Sequence, residues 1–246
     1  MTSDVKSVLG SLKELNNSNT ISIKVPSQDK NVSFKCASVS QHKDLLRSAF
    51  DGVDGVITRA IIFNRIITDN CIDDVDFLII DRNDILLELR KASVGSTVKI
   101  KGTQYDLNDL PALNKSDIKF KSTVTSDGIT VKLKVPTLAI DTAINKKLGT
   151  ELAKVVDQQE KIKQSIDMVV TYETSKYIDS IKVGEEVISF SDISSYERKE
   201  IVNNLPIKLS NKILSYIGDI KTVTDSAITF EGEVMLEIDA SFLSAD

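Results

Sequence analysis

The chain moves between two spacings of apolar residues. Over 21–36, ISIKVPSQDKNVSFKC, apolar side chains fall on every second position: Ile21, Ile23 and Val25, then Val32, Phe34 and Cys36. A period of two is that of a strand with one buried face. Pro26-Ser27-Gln28-Asp29-Lys30 supplies turn residues between the runs, so the stretch predicts a β-hairpin. The spacing then becomes helical. Ser38 with Gln41 three residues on is a capping-box pattern. Val39, Leu45, Leu46 and Ala49 form a stripe, and Gly52 is a stop signal. A second helix, roughly 53–70, carries Val56, Ile57, Ala60, Ile61, Phe63 and Ile67 around much of its circumference, which predicts a central position.

The short apolar run Phe77-Leu78-Ile79-Ile80 reads as a strand or an approach segment. Asp81 is expected as the N-cap of the helix that follows, with Asp84 at N3, both facing free N–H groups and the positive end of the dipole. Ile85, Leu86, Leu89 and Ala92 keep the helical spacing, and Gly95 stands where a C′ residue belongs. Residues 97–136 return to a period of two, with Ser126-Asp127-Gly128 as a hairpin turn. Lys115, Lys119, Lys121, Lys132 and Lys134 alternate with apolar positions there. That basic face reads as an edge protected from aggregation, or as a contact for an acidic partner.

From Leu138 to about Ile181 the pattern is helical, either two helices broken near Gly149 or an antiparallel pair. Gln159 interrupts the stripe, which argues against a coiled coil. VGEEVISFSDIS reads as a short hairpin or strand. Ser194 with Glu197 opens a helix, Pro206 leads into another, and AITFEGEVMLEIDASFL alternates about Gly232 as a terminal hairpin. Strands and helices are segregated in blocks, so the fold class is α+β. It comprises an N-terminal hairpin with a helical cluster, a central hairpin, long amphipathic helices, and a C-terminal helix and hairpin. The expected division is a flexible or partner-ordered arm over 1–20, with a short helix around 5–15. A hairpin-plus-helix unit over 21–96 follows, then a β-rich segment over 97–137 and a helical unit with its terminal hairpin over 138–246.

Composition narrows the chemistry. Of 246 residues, 41% are hydrophobic and 27% charged, so a core is within reach; with no Trp it must be built from Ile, Val and Leu. A net charge of −5 disfavours nucleic acid as a partner. Cys36, Cys71 and the single His42 are too few for a tetrahedral zinc site. The cysteines are expected as buried free thiols, and His42 as an exposed residue in the first turn of its helix. No apolar run is long enough for a membrane span, and the N-terminus has no apolar signal core. A soluble protein made in a reducing compartment is expected. No glycine-rich phosphate loop and no Gly-x-Ser-x-Gly occurs. Asp73/Asp74 and Glu185/Glu186 are sequence neighbours that point to different faces, not acid/base pairs. No catalytic, cofactor-binding or metal-binding residue is predicted, and the chain is not expected to be an enzyme.

Several short motifs resemble, in order and spacing, the baseplate protein family of T4-like bacteriophages. They are Val25-Pro26-Ser27, the helix holding Lys43, Asp81-Arg82 with Leu89-Arg90 running to Gly95, and Leu205-Pro206 before a terminal β segment. Some relatives carry a Cys-containing, zinc-ribbon-like hairpin near the C-terminus. Here that hairpin has no Cys and closes with Phe242-Leu243, so no metal is carried over.

The resemblance implies a structural component of the hub region of a contractile-tail baseplate, acting through protein–protein interfaces in tail assembly. It places the protein in the virion after synthesis in the host cytoplasm. Other tail and baseplate proteins are the implied partners, the tape-measure protein among them, and self-association in symmetric copies is left open. Asp81, Arg82, Arg90, Lys43, Pro26, Leu205 and Pro206 are the structural and interface candidates, with Asp81 and Arg82 as the fastening pair. Two alternatives stand beside this reading. One is a transient assembly chaperone for a hub or tape-measure protein. The other is a nucleic-acid-binding module using the Lys-rich ribbon 115–134.

Overall fold

The computed structural model describes residues 3–51, 54–100, 103–109, 119–224, 227–230 and 233–244. Helix α1 (Ser3–Ser18) leads into strand β1 (Thr20–Val25), which pairs antiparallel with β2 (Lys30–Lys35). Ile21 lies opposite Phe34 and Ile23 opposite Val32, which puts the alternating apolar residues together. Pro26 opens the connecting 3-10 turn Pro26–Gln28, where its fixed φ is already suitable.

Helix α2 (Val39–Arg47) carries the full capping box between Ser38 and Gln41. Of its predicted stripe only Leu45 is buried; Val39 is 71% exposed, and Leu46 and Ala49 also face outward. Helix α3 (Gly55–Asn70) buries Ile62, Phe63, Ile66 and Ile67, while Val56 is exposed. Gly52 lies outside the described residues. Helix α4 (Arg82–Ser93) continues from a 3-10 turn over Ile79–Asp81, so the run Phe77–Ile80 is an approach segment joined to Thr137 by one bridge at Leu78.

Strands β3 (Thr97–Ile100) and β4 (Thr103–Asp106) form a small ribbon. Strands β5 (Lys121–Ser126) and β6 (Ile129–Lys134) turn at Asp127-Gly128, both with positive φ, as a tight hairpin demands. Helices α5 (Leu138–Leu152) and α6 (Gln158–Tyr177) follow, then β7 (Ile178–Val183) and β8 (Glu186–Ser189). The sheet order β5-β6-β7-β8 is antiparallel throughout.

Three expectations change here. Gly149 lies inside α5; the break falls after Leu152, and Asp157 caps α6 by accepting a 2.7 Å bond from Glu160 N. Ile178 to Ile181 are strand, not helix, because they pair with β6 and bury Ile178 and Ile181. β6 is interior to the sheet, so of the lysine ribbon only β5 is an edge, and Lys115 lies outside the described residues. Helix α7 (Ser195–Asn203) has the predicted Ser194–Glu197 capping box, and α8 (Ile207–Thr224) starts from Pro206. Strands β9 (Ala227–Phe230) and β10 (Glu233–Glu237) form the terminal hairpin, with Gly232 outside the described residues.

One apolar cluster joins the first hairpin (Ile23, Phe34), α3 (Ile66), α4 (Leu86), the four-stranded sheet (Leu133, Ile178), α8 (Ile213) and Phe242. The α+β mixture of hairpins and helices is therefore knit by shared packing. Phe34 lies against Phe77 with ring centroids 5.6 Å apart, and Phe63 meets Phe242 edge-on at 6.4 Å. A satellite cluster of Ile144, Leu148, Leu152 and Tyr172 sits between α5 and α6.

Candidate functional site

Three polar centres are built into this frame. The first is Asp81, whose side chain is fully buried. Its Oδ1 accepts from Ser27 N at 3.0 Å, and its Oδ2 from Ser27 Oγ at 2.6 Å and Leu78 N at 3.0 Å. Asp81 holds the expected N-cap position of α4, but its side chain makes no capping bond to the free N–H groups of that helix. The 3-10 turn begins the helical segment three residues earlier, so the carboxylate reaches back to Leu78 and across to the Pro26–Gln28 turn. Asp84 remains in the first turn of α4.

The second centre surrounds Asp141 of α5. Its Oδ2 receives Asn64 Nδ2 at 2.8 Å and Arg82 NH1 at 3.2 Å; its Oδ1 receives Lys176 Nζ at 2.7 Å. Arg82 also reaches Asn64 Oδ1 at 3.5 Å. Lys176 donates to Glu173 at 2.7 Å, and Lys221 stands 3.8 Å from the same carboxylate. Helices α3, α4, α5, α6 and α8 thus meet in one ionic network. Burial alone would push the Asp141 carboxyl upward. The charges of Lys176 and Arg82, with hydrogen bonds from Lys176 and Asn64, outweigh it and hold the group below the usual carboxylate range.

Arg82 stands out in the sequence, whereas Asn64, Asp141 and Lys176 do not. A signal was present. Asp141 interrupts the apolar row Leu138, Ile144, Leu148, Leu152, and Asn64 follows Phe63 in the buried stripe of α3. A polar residue at a core position needs a partner.

The third centre is Arg90, 2% exposed at the end of α4. Its Nε donates to Phe242 O at 2.9 Å, its NH1 to Gly95 O at 2.8 Å, and its NH2 to Ser244 O at 3.5 Å. The guanidinium therefore closes the C-terminus of α4 and holds segment 238–244 by its backbone. His42 is half-buried rather than exposed, because Ser244 Oγ lies 3.0 Å from its Nε2. Cys36 and Cys71 are free thiols, each half-buried.

The remaining candidates are not gathered at any of these centres. Lys43 and Pro26 are exposed. Leu205 packs against the main core, and Pro206 O accepts the first bonds of α8 from Leu209 N and Ser210 N, both at 2.9 Å. Helix α1 presents Val5, Val8, Leu9, Leu12 and Leu15, each 38–64% exposed.

These centres fasten elements to one another. Among the described residues no group of three or more His, Cys, Asp or Glu could hold a metal ion. The model of the family described as T4 bacteriophage base plate protein matches residues 18–229, and the chain belongs to that family. It is a structural protein of the phage tail baseplate, and its partners are other tail and baseplate proteins. No curated protein and no solved structure matches the chain. No helix among the described residues is long and apolar enough to cross a membrane.

Proposed function

We propose that the chain works in the hub region of the baseplate, joined to neighbouring tail proteins through helix α1. The observation that carries this reading is the exposed apolar row of α1. Val5, Val8, Leu12 and Leu15 are spaced three, four and three residues apart, with Leu9 alongside. That spacing makes a seam that packs on another helix. A lone helix of this length is marginal in water, and burying its seam against a neighbour stabilises both by about 25 cal/mol per Å² of apolar surface removed from water.

The test is the triple substitution Leu9→Ser, Leu12→Ser, Leu15→Ser, followed by affinity co-purification from infected cells. The expected result is loss of tail-protein partners with unchanged thermal unfolding. Equal recovery of partners by the variant would overturn the proposal.

The same exposed helix suits a transient chaperone of a hub or tape-measure protein. Mass spectrometry of purified particles separates the readings, since a structural component is retained and a chaperone is lost. The nucleic-acid reading has less support. Lys134 is held by Asp179 at 2.7 Å, leaving fewer free cations on the ribbon. Duplex binding that weakens steeply with salt would favour it.

A further inference from the structure

Helices α3, α5, α6 and α8 wall a cleft of about 390 Å³. Aliphatic side chains, among them Val56, Ile57, Leu148 and Val169, line its sides, and the Arg82–Asp141–Lys176 network forms its floor. On that floor Tyr177 is 1% exposed; among the described residues its hydroxyl has no hydrogen-bond partner, and it is not sealed from solvent. Its ring is fully used: it meets Tyr216 edge-on at 6.4 Å, and the Lys176 ammonium lies 5.5 Å from its centroid. Burial first, then the carboxylates of Glu173 and Asp141, hold the phenol far above its ordinary range, so it stays an O–H donor.

Two further groups share the cleft. Asn145 lies half-buried on its wall, and its amide has no partner among the described residues. Arg82 gives only NH1 to Asp141 and Asn64. Counting Lys221 at the mouth, three cations face two carboxylates, Asp141 and Glu173.

We propose that this cleft binds a monoanionic carboxylate carried on a short aliphatic group. The Tyr177 hydroxyl, the Asn145 amide and the unused edge of the Arg82 guanidinium receive the carboxylate, and the aliphatic walls take the hydrocarbon. Donors and one excess positive charge select an acceptor-only anion. A single negative charge matches that excess better than a phosphate dianion does. The volume is near the lower end for small-ligand sites, so it suits one or two residues rather than a nucleotide. The carboxylate could belong to a free small acid or to the last residue of another polypeptide. The proposal is independent of the hub reading, because none of the residues lining the cleft belongs to α1.

The test is titration of the full chain with isovalerate, acetyl-Gly-Leu and acetyl-Gly-Leu-amide, read by calorimetry and chemical-shift change. Binding of the free acids with at least tenfold weaker binding of the amide is expected. A peptide acid tighter than isovalerate assigns the site to a chain terminus, and the reverse order to a small acid; either supports the proposal. Tyr177→Phe should weaken the acid about tenfold, the size of one hydrogen bond to a charged group. It should leave thermal unfolding unchanged, because the hydroxyl bonds to none of the described residues. Asn145→Ala should weaken it in the same direction. Equal binding of acid and amide, no binding of any probe at millimolar concentration, or a Tyr177→Phe variant with unaltered affinity would each overturn the proposal.

Discussion

Lys176 Nζ lies 2.7 Å from Asp141 Oδ1 with both side chains more than nine-tenths buried, and this contact ties α6 to α5. Desolvating such a pair is costly, and it persists because further bonds from Asn64, Arg82 and Glu173 complete it. Removing one member is therefore far worse than removing both. Asp141→Ala should destabilise the protein by about 3–5 kcal/mol in urea unfolding, since Lys176 is left buried beside Arg82 without that acceptor. Asp141→Ala combined with Lys176→Met should recover a large part of that loss.

The same carboxylate sets an acid limit. The Asp141 pKa is lower folded than unfolded, so its contribution to stability is fully present above the unfolded carboxylate value, about 3.9. It is lost as pH falls through the lower folded value. Urea midpoints measured from pH 6 down to 2.5 should fall below about pH 4, and fall less in an Asp141→Asn variant.

Asp81 should matter more than a helix cap does. Asp81→Ala leaves Ser27 N–H, Ser27 O–H and Leu78 N–H without their acceptor. A loss of about 3 kcal/mol is expected, against about 1 kcal/mol for an N-cap deletion. Hydrogen exchange should quicken at Ser27 and Leu78 in the same variant.

Arg90→Met should free segment 238–244 while keeping a side chain of similar reach in the core. Limited proteolysis should then cut near Phe242, and exchange protection should fall there before it falls in α4. Protection lost equally in α4 and in the segment would mean that Arg90 acts on the whole fold.

Local patterns in the sequence were legible where neighbours in sequence decide the outcome. The alternation over 21–36 and the Ser38–Gln41 and Ser194–Glu197 boxes need only residues a few positions apart. Asp81 stands at the N-cap position of α4 as expected, but its side chain is drawn away from the helix by Ser27, 54 positions upstream, and by Leu78. The stripe of α2 marked an amphipathic face, but periodicity does not say what covers that face, and here Val39 and Leu46 are left exposed. His42 looked like a surface residue because its partner, Ser244, stands 202 positions away. The network at Asp141 was hidden for the same reason; only the polar residues set into apolar rows hinted at it.

The grip of Arg90 on the backbone of Phe242 and Ser244 spans 152 and 154 positions. During translation, α4 emerges long before its anchor exists. This buried guanidinium therefore cannot reach its carbonyls until residue 244 has left the ribosome, 154 positions after Arg90 itself.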